Sequence, residues 1–340
     1  MAKLKRLFND PYDVVDEMIE GYAKAHKQYV HMDESEEAQG RVLVSNEVGK
    51  KDKVGIVVGG GTGHEPMFLG YVGKDFADAV VMGNINTSPS PDPCYAAARA
   101  VDTGKGVVYL YGNYAGDVMN FDMGAEEAED EDDIVVKSVT VKDDVVSAPK
   151  DRIEDRRGVA GDFIVFKAAG AAAAMGKDLD EVVRIAEKAN SVTRSMGVAM
   201  SSSTIPAKGG TIFEMEDGDM EIGMGIHGEP GVRRGKIDTA DNVVDEIMDP
   251  ILSDLPFEKG DEVYVLVNSL GATPLMDLHV CFRRVQQILD EKGITVYKTL
   301  VGPFATSMDM AGMSITLTKL DDELKEMLDY PCDTPYFTQV

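Results

Sequence analysis

The pattern that most restricts this chain is the alternation of short β-branched runs with helical stretches. Residues 54–58 (VGIVV) end in a cluster of glycines, as a buried strand entering a loop does. Residues 79–82 (AVVM) and 106–111 (GVVYLY) repeat the pattern, and residues 94–102 (CYAAARAVD) between them read as a helix. Such alternation predicts an α/β fold with a mixed or mostly parallel sheet covered by helices. An amphipathic helix is expected over residues 12–30, with Val15, Met18, Ile19 and Tyr22 at helical spacing, and a further strand over 134–141. Helices are predicted over 163–176 and 178–190.

Near residue 190 small and polar residues take over (SVTRSMGVAMSSSTIPAKGG), and a lobe boundary is placed there. This divides the chain into an N-terminal α/β lobe, 1–190, and a C-terminal α/β lobe, 191–340. The second lobe contributes strands over 262–270, 294–302 and 314–320, and a helix over 278–293. No repeat of fixed period interrupts the pattern.

Charge narrows the possible partners. Asp and Glu number 60 against 34 Lys and Arg, a formal net charge of −26. A chain so acidic repels nucleic acid and anionic membranes. The acidic stretches, such as EEAEDEDD at 126–133, sit between apolar segments and read as solvated faces. High negative charge on an ordinary core suits high salt, where screening removes the self-repulsion, so a halophilic cytoplasm is expected. No run reaches the ~20 apolar residues of a membrane helix, and the first residues show no apolar signal core. Three cysteines without a CxxC pair fit a reducing compartment, and no His/Cys cluster predicts a structural zinc.

Three segments carry candidate chemistry. Gly59-Gly60-Gly61-Thr62-Gly63-His64-Glu65-Pro66 follows a strand, but its spacing fits neither dinucleotide-binding glycines nor a Walker A loop. It is either a structural turn with an exposed histidine or a site in which the glycines let backbone approach a ligand. In Gly225-Ile226-His227-Gly228-Glu229-Pro230-Gly231 a histidine stands between glycines, and a turn with an exposed side chain is again the alternative. In Asn113-Tyr114-Ala115-Gly116-Asp117 the acid is either at the ligand-binding carboxyl end of a strand or the N-cap of a following helix.

With TSPSPD at 87–92, RRGVAG at 156–161, NSLGATP at 268–274 and TSMDM at 306–310, these segments resemble the K subunit of dihydroxyacetone kinases. The resemblance runs from about residue 8 to about 335, covering residues 8–335 as one overall domain. Each motif alone is weak, whereas seven in the family's order are specific. The family's covalent histidine falls on His227, its second active-site histidine on His64 and its active-site aspartate on Asp117. The backbone of Gly61, Thr62 and Gly63 is expected to line the substrate pocket. Where bacterial members often carry a substrate-contacting lysine, this chain has Gly112.

The resemblance implies that dihydroxyacetone is held as a hemiaminal on His227. Neutral imidazole attacks the ketone carbon, a reaction closed to glycerol, and acid that protonates the ring opposes it. Asp117 is expected to contact the reacting hydroxyl, with His64 assisting proton transfer. Without a phosphate loop the chain is expected to bind no nucleotide or metal of its own. The family places ADP or ATP with magnesium on a separate L subunit, which an M phosphotransferase protein recharges from phosphoenolpyruvate, while some relatives use ATP directly. A cytoplasmic homodimer is implied likewise. The competing reading is a non-catalytic coactivator that binds dihydroxyacetone and reports it to a transcription regulator.

Overall fold

In the computed structural model, which describes residues 6–340, helix α1 (Val14–Ala25) buries Val15, Ile19 and Tyr22. It ends earlier than its sequence pattern suggests, because the chain leaves the helix at His26 and enters strand β1 (Val30–Met32). There follow β2 (Val42–Ser45), β3 (Gly55–Thr62), β4 (Ala79–Ile85), helix α2 (Pro91–Val101), β5 (Val107–Gly112), helix α3 (Ala115–Asp132) and β6 (Val136–Val141). These strands form a six-stranded sheet in the order β1-β2-β4-β3-β5-β6. The β4-β3-β5-β6 part is parallel, and β1 and β2 add antiparallel at the edge. The chain passes from β3 to β4 on one side and then to β5 on the other. Such a switch in winding leaves a crevice at the carboxyl ends of the strands. Val57, Val81, Tyr109 and Phe121 are part of the core beneath it, with Tyr111 stacked on Phe121 at 4.3 Å.

Strand β3 does not stop at Val58 but continues through the glycines to Thr62. A side chain on Gly59 would meet the Val81 carbonyl at 2.6 Å, so glycine is what lets the strand lie this close to its neighbour.

The C-terminal half of α3 carries the acidic stretch, and Glu129–Asp133 are exposed. Acids at a helix C-terminus oppose the macrodipole. Packing holds the helix instead: Phe121, Gly124 and Ala128 are buried. Because the whole chain repels itself at −26, added monovalent salt is expected to stabilise it. Raising KCl from about 0.1 to about 1 M should raise Tm by roughly 5 °C in a calorimetric scan. A flat or falling Tm would show that self-repulsion is not a significant cost.

Helices α4 (Asp162–Ala174) and α5 (Leu179–Ser191) follow, and here the organisation departs from a single cut near residue 190. Contacts group Arg6–Val141 with Ile164–Ala189 and Leu324–Val340 as an N-terminal unit. Lys142–Phe163 and Asn190–Glu323 make the C-terminal unit. The reason lies in packing. Gly170 of α4 returns against the Phe76 backbone, where any side chain would collide with the Phe76 carbonyl at 2.2 Å. The segment just after β6 instead joins the other sheet, with Ser195 N–H donating to the Asp143 carbonyl at 2.7 Å.

The C-terminal unit contains β7 (Thr193–Ala199), a hairpin of two short strands, β8 (Thr204–Ile205) and β9 (Gly210–Thr211), then β10 (Asp219–Ile222) and β11 (Arg233–Lys236). Helix α6 (Ala240–Asp254), β12 (Glu262–Ser269), helix α7 (Leu275–Lys292), β13 (Thr295–Gly302) and β14 (Gly312–Leu320) complete it. Its sheet runs β11-β10-β7-β14-β12-β13 and is mixed, with only the β12-β13 pair parallel. Strand β7, hidden in a polar stretch of sequence, is central. Its hydroxyls are buried but paired across β14, Thr193 with Thr318 at 2.9 Å and Ser195 with Thr316 at 2.6 Å. A buried ladder of hydrogen-bonded hydroxyls defeats a reading based on apolar alternation. Helix α8 (Asp322–Asp329) and the short pair β15 (Cys332–Asp333) and β16 (Thr338–Gln339) end the chain. In the N-terminal unit the buried Lys167 ammonium donates to the carbonyls of Met327 and Tyr330, at 3.2 and 2.7 Å. No helix among the described residues is long and apolar enough to cross a membrane.

Candidate functional site

In the N-terminal unit the folding of three sequence motifs to one sheet end can be followed contact by contact. Residues Gly61–Thr62 end β3, and Gly61 passes so close to the next loop that a Cβ would lie 2.6 Å from Thr87 N. Asn86 N–H donates to the Thr62 carbonyl at 3.0 Å. Gly63 then takes φ +100°, a conformation that disfavours any side chain, and its N–H donates to Glu65 Oε1 at 3.0 Å. His64 is buried, and its carbonyl accepts from Met67 N–H at 2.9 Å. The reading of His64 as an exposed histidine on a turn is thereby excluded. The buried Thr62 hydroxyl has no hydrogen-bond partner among the described residues, which suits a small polar ligand.

The TSPSPD loop meets α3 on its other side. Asn120 Nδ2 donates to Ser88 Oγ at 3.2 Å and to the Pro89 carbonyl at 2.7 Å. Asp117 is not the N-cap of α3. That position belongs to Tyr114, and Asp117 is a buried acid inside the first turn. A carboxylate there is favoured by the helix dipole. Its charge also helps push the Cys94 thiol upward, after the larger effect of burial. Strands β3 and β5 are parallel neighbours, so the loop bearing His64 and the helix start bearing Asp117 follow the same, carboxyl end of the strands. Gly112 closes β5, paired with Val141.

His227 lies in the C-terminal unit, on the turn after β10. Gly228 N–H donates to the Gly225 carbonyl at 3.0 Å, and Gly225 N–H to the Glu229 carbonyl at 3.1 Å. One of the remaining motifs, TSMDM, braces this turn directly. Ser307 Oγ donates to the Ile226 carbonyl at 2.5 Å. Asp309 accepts from Thr204 N–H at 2.8 Å and from its hydroxyl at 2.7 Å. Asn268 donates to the Ala305 carbonyl and accepts from the N–H groups of Phe304 and Ala305, holding the 304–305 backbone at three points. Ile226 itself packs in a small apolar cluster with Val159, Met224, Leu270 and Met310.

The imidazole is part-exposed and has a carboxylate behind it. His227 Nδ1 is 3.2 Å from Glu229 Oε1, and His227 N–H donates to Glu229 Oε2 at 3.1 Å. Arg157 of RRGVAG stands 3.6 Å from Glu229 Oε2 and donates from Nε and its second terminal nitrogen to Asp144 Oδ2 at 3.2 and 2.7 Å. Burial alone would raise the Glu229 carboxyl, but the hydrogen bond and field of His227, with the Arg157 charge, outweigh it and hold the group down to about 2. Burial pushes Asp144 up to about 6 against the pull of Arg157. Sequence reasoning missed Glu229, Arg157 and Asp144 as neighbours of the histidine. The only signal was the acid two residues after His227; Asp144 and Arg157 lie far away in the chain. Among the described residues no group of three or more His, Cys, Asp or Glu side chains is arranged to hold a metal ion.

Fold and site together define a two-unit α/β protein that presents buried polar groups at one sheet end and a braced, partly exposed imidazole on the other sheet's turn. The model of the Dak1 domain matches residues 20–336, and the chain belongs to the Dak1 domain family. It is 61% identical over 334 residues to the dihydroxyacetone-binding subunit DhaK of PTS-dependent dihydroxyacetone kinase 2 of Listeria innocua serovar 6a, covering 98% of this chain and 99% of that one. The dihydroxyacetone kinase of C. freundii in its native form superposes with a TM-score of 0.89 at 31% identity, over 98% of this chain. This chain spans 60% of that longer one. A dihydroxyacetone kinase operon co-activator gives a TM-score of 0.88 at 30% identity, covering 95% of this chain and 98% of that one.

Proposed function

We propose that this chain is the dihydroxyacetone-binding subunit of a phosphotransferase-system-dependent dihydroxyacetone kinase. The near end-to-end likeness to the Listeria subunit supports the assignment. The observation that carries it is the His227 turn, a part-exposed imidazole backed by a carboxylate and braced by Ser307. In this reading the ring attacks the ketone carbon of dihydroxyacetone and holds it as a hemiaminal. His64 and Asp117 serve as acid–base groups, and the Gly61–Gly63 backbone lines the pocket, with the Thr62 hydroxyl as a further polar contact. The phosphoryl group comes from an L subunit carrying ADP or ATP with magnesium, recharged by an M protein from phosphoenolpyruvate.

Covalent capture explains how so small and polar a substrate is told from glycerol, which has no electrophilic carbon. A second reading, a non-catalytic co-activator, draws on the solved co-activator of similar fold and on Gly112 in place of the family lysine. The two part in one assay. Mixing the chain with L and M partners and phosphoenolpyruvate should give dihydroxyacetone phosphate, and glycerol should give no product. Adduct formation without turnover, whatever the L partner or donor, would favour the co-activator.

A further inference from the structure

Two buried polar atoms of the N-terminal unit have no hydrogen-bond partner among the described residues, and they sit on adjoining residues: the Thr62 hydroxyl and Asn86 Oδ1. Thr62 ends β3 in register with Ile85 of β4, and Asn86 N–H donates to the Thr62 carbonyl at 3.0 Å. The loop after β4 is built to hold Asn86 there. Thr87 N–H donates to the Asn84 carbonyl at 3.0 Å, closing a turn in which Asn86 takes φ +52°. Asparagine is one of the few residues with a side chain that enter this region readily. Gly61 lets the turn approach β3, since a Cβ on it would lie 3.0 Å from Asn86 Cα. A buried polar atom left unpaired costs stability, and folded chains keep few of them. Here the two defects are complementary. The Thr62 O–H needs an acceptor and Asn86 Oδ1 needs a donor, and one hydroxyl group can be both.

We propose that Asn86, together with Thr62, is the specificity-determining contact for the second hydroxyl of the ketone, the one that does not receive phosphate. This rests on the capture reading. Strand β3 lies between β4 and β5 in the sheet. Asn86 follows β4, His64 follows β3 and Asp117 follows β5, all at the carboxyl ends of parallel strands. Neighbouring strands are about 4.8 Å apart. A three-carbon ketone laid across the end of β3 therefore points its two hydroxyls to opposite neighbours. One meets Asp117 on the β5 side, and the other meets the Asn86 amide and Thr62 hydroxyl on the β4 side. Strand β5 ends in Gly112, which adds no side-chain contact of its own. The pair thus selects a ketone with a hydroxymethyl arm on each side of the carbonyl. A ketone lacking one arm leaves these buried atoms unpaired and is held less well.

The test compares capture of two C2-labelled ketones by the full chain, followed by carbon NMR: dihydroxyacetone, and hydroxyacetone with its single hydroxymethyl arm. Asn86→Gly removes the amide and leaves a backbone at ease with φ +52°. Thr62→Val keeps the shape and removes the hydroxyl. Each variant should weaken capture of dihydroxyacetone about tenfold and that of hydroxyacetone by no more than about threefold. The smaller loss follows because the one hydroxyl of hydroxyacetone is free to take the place beside Asp117. Equal losses for the two ketones would show that the pair only holds the loop, and would overturn the proposal while leaving capture intact. Unchanged capture of both ketones by the folded variants would do the same. If neither variant folds, the wild type decides. Hydration of the free ketones in the same spectra measures the intrinsic reactivity of each carbonyl. The wild-type preference for dihydroxyacetone should exceed that hydration ratio about tenfold, and a preference no greater than the ratio overturns the proposal. A wild type that captures neither ketone overturns the capture reading and this one with it.

Discussion

Replacing His227 by alanine is expected to lower kcat/KM for dihydroxyacetone, in the assay with L and M partners, by about three orders of magnitude or more. The ketone is small and polar, so its other contacts supply little binding, and the covalent bond is what holds the reacting hydroxyl still. Stability should change little. The side chain is 22% exposed and its partner Glu229 is 31% exposed, so truncation leaves no deeply buried charge without a partner. Thermal unfolding should stay within about 1 kcal/mol of wild type. A loss of less than tenfold, with folding intact, would mean that non-covalent contacts hold the substrate.

The largest stability effect is expected at a different side chain of the C-terminal unit. Asp254, the last residue of α6, lies between two buried guanidinium groups. Arg156 grips both its oxygens, at 2.6 and 2.9 Å, and Arg194 Nε donates to one of them at 2.5 Å. The arginine side chains are 1% and 6% exposed. Asp254→Ala removes this carboxylate from two buried cations, which costs about 3–5 kcal/mol and should appear as a lower urea midpoint. Burial alone would raise the Asp254 carboxyl, but the two arginines hold it below the ordinary range. Its folded value thus lies below the unfolded one, so its contribution is complete at neutral pH. That contribution is lost as pH falls below about 4. A variant as stable as wild type at pH 7 would contradict this.

These two residues also show what the sequence makes legible. The alternating fold and the turns bearing His64, Asp117 and His227 follow from local pattern and motif order, because strands, glycine turns and apolar periodicity are short-range properties. The Arg156–Asp254 pair spans 98 positions, and nothing local in RRGVAG announces it. Strand β7 escaped because its buried Thr193 and Ser195 are satisfied by β14, more than a hundred residues on. The division of the chain escaped for a similar reason: Asp143, just after β6, pairs with Ser195 of β7, a contact no boundary signal near residue 190 encodes. Asp117 was legible as an acid at a strand end, but the cap it resembled proved to be Tyr114. The role of Gly225 emerges only once Arg157 and Glu229 are seen to occupy the space of its missing side chain.

Capture on His227 is tested most directly by carbon NMR of dihydroxyacetone labelled at C2, mixed with the protein alone. The account predicts that the carbonyl resonance moves to the tetrahedral region with wild type and stays in place with His227→Ala. A shifted signal that survives in His227→Ala, or none with wild type, would contradict it.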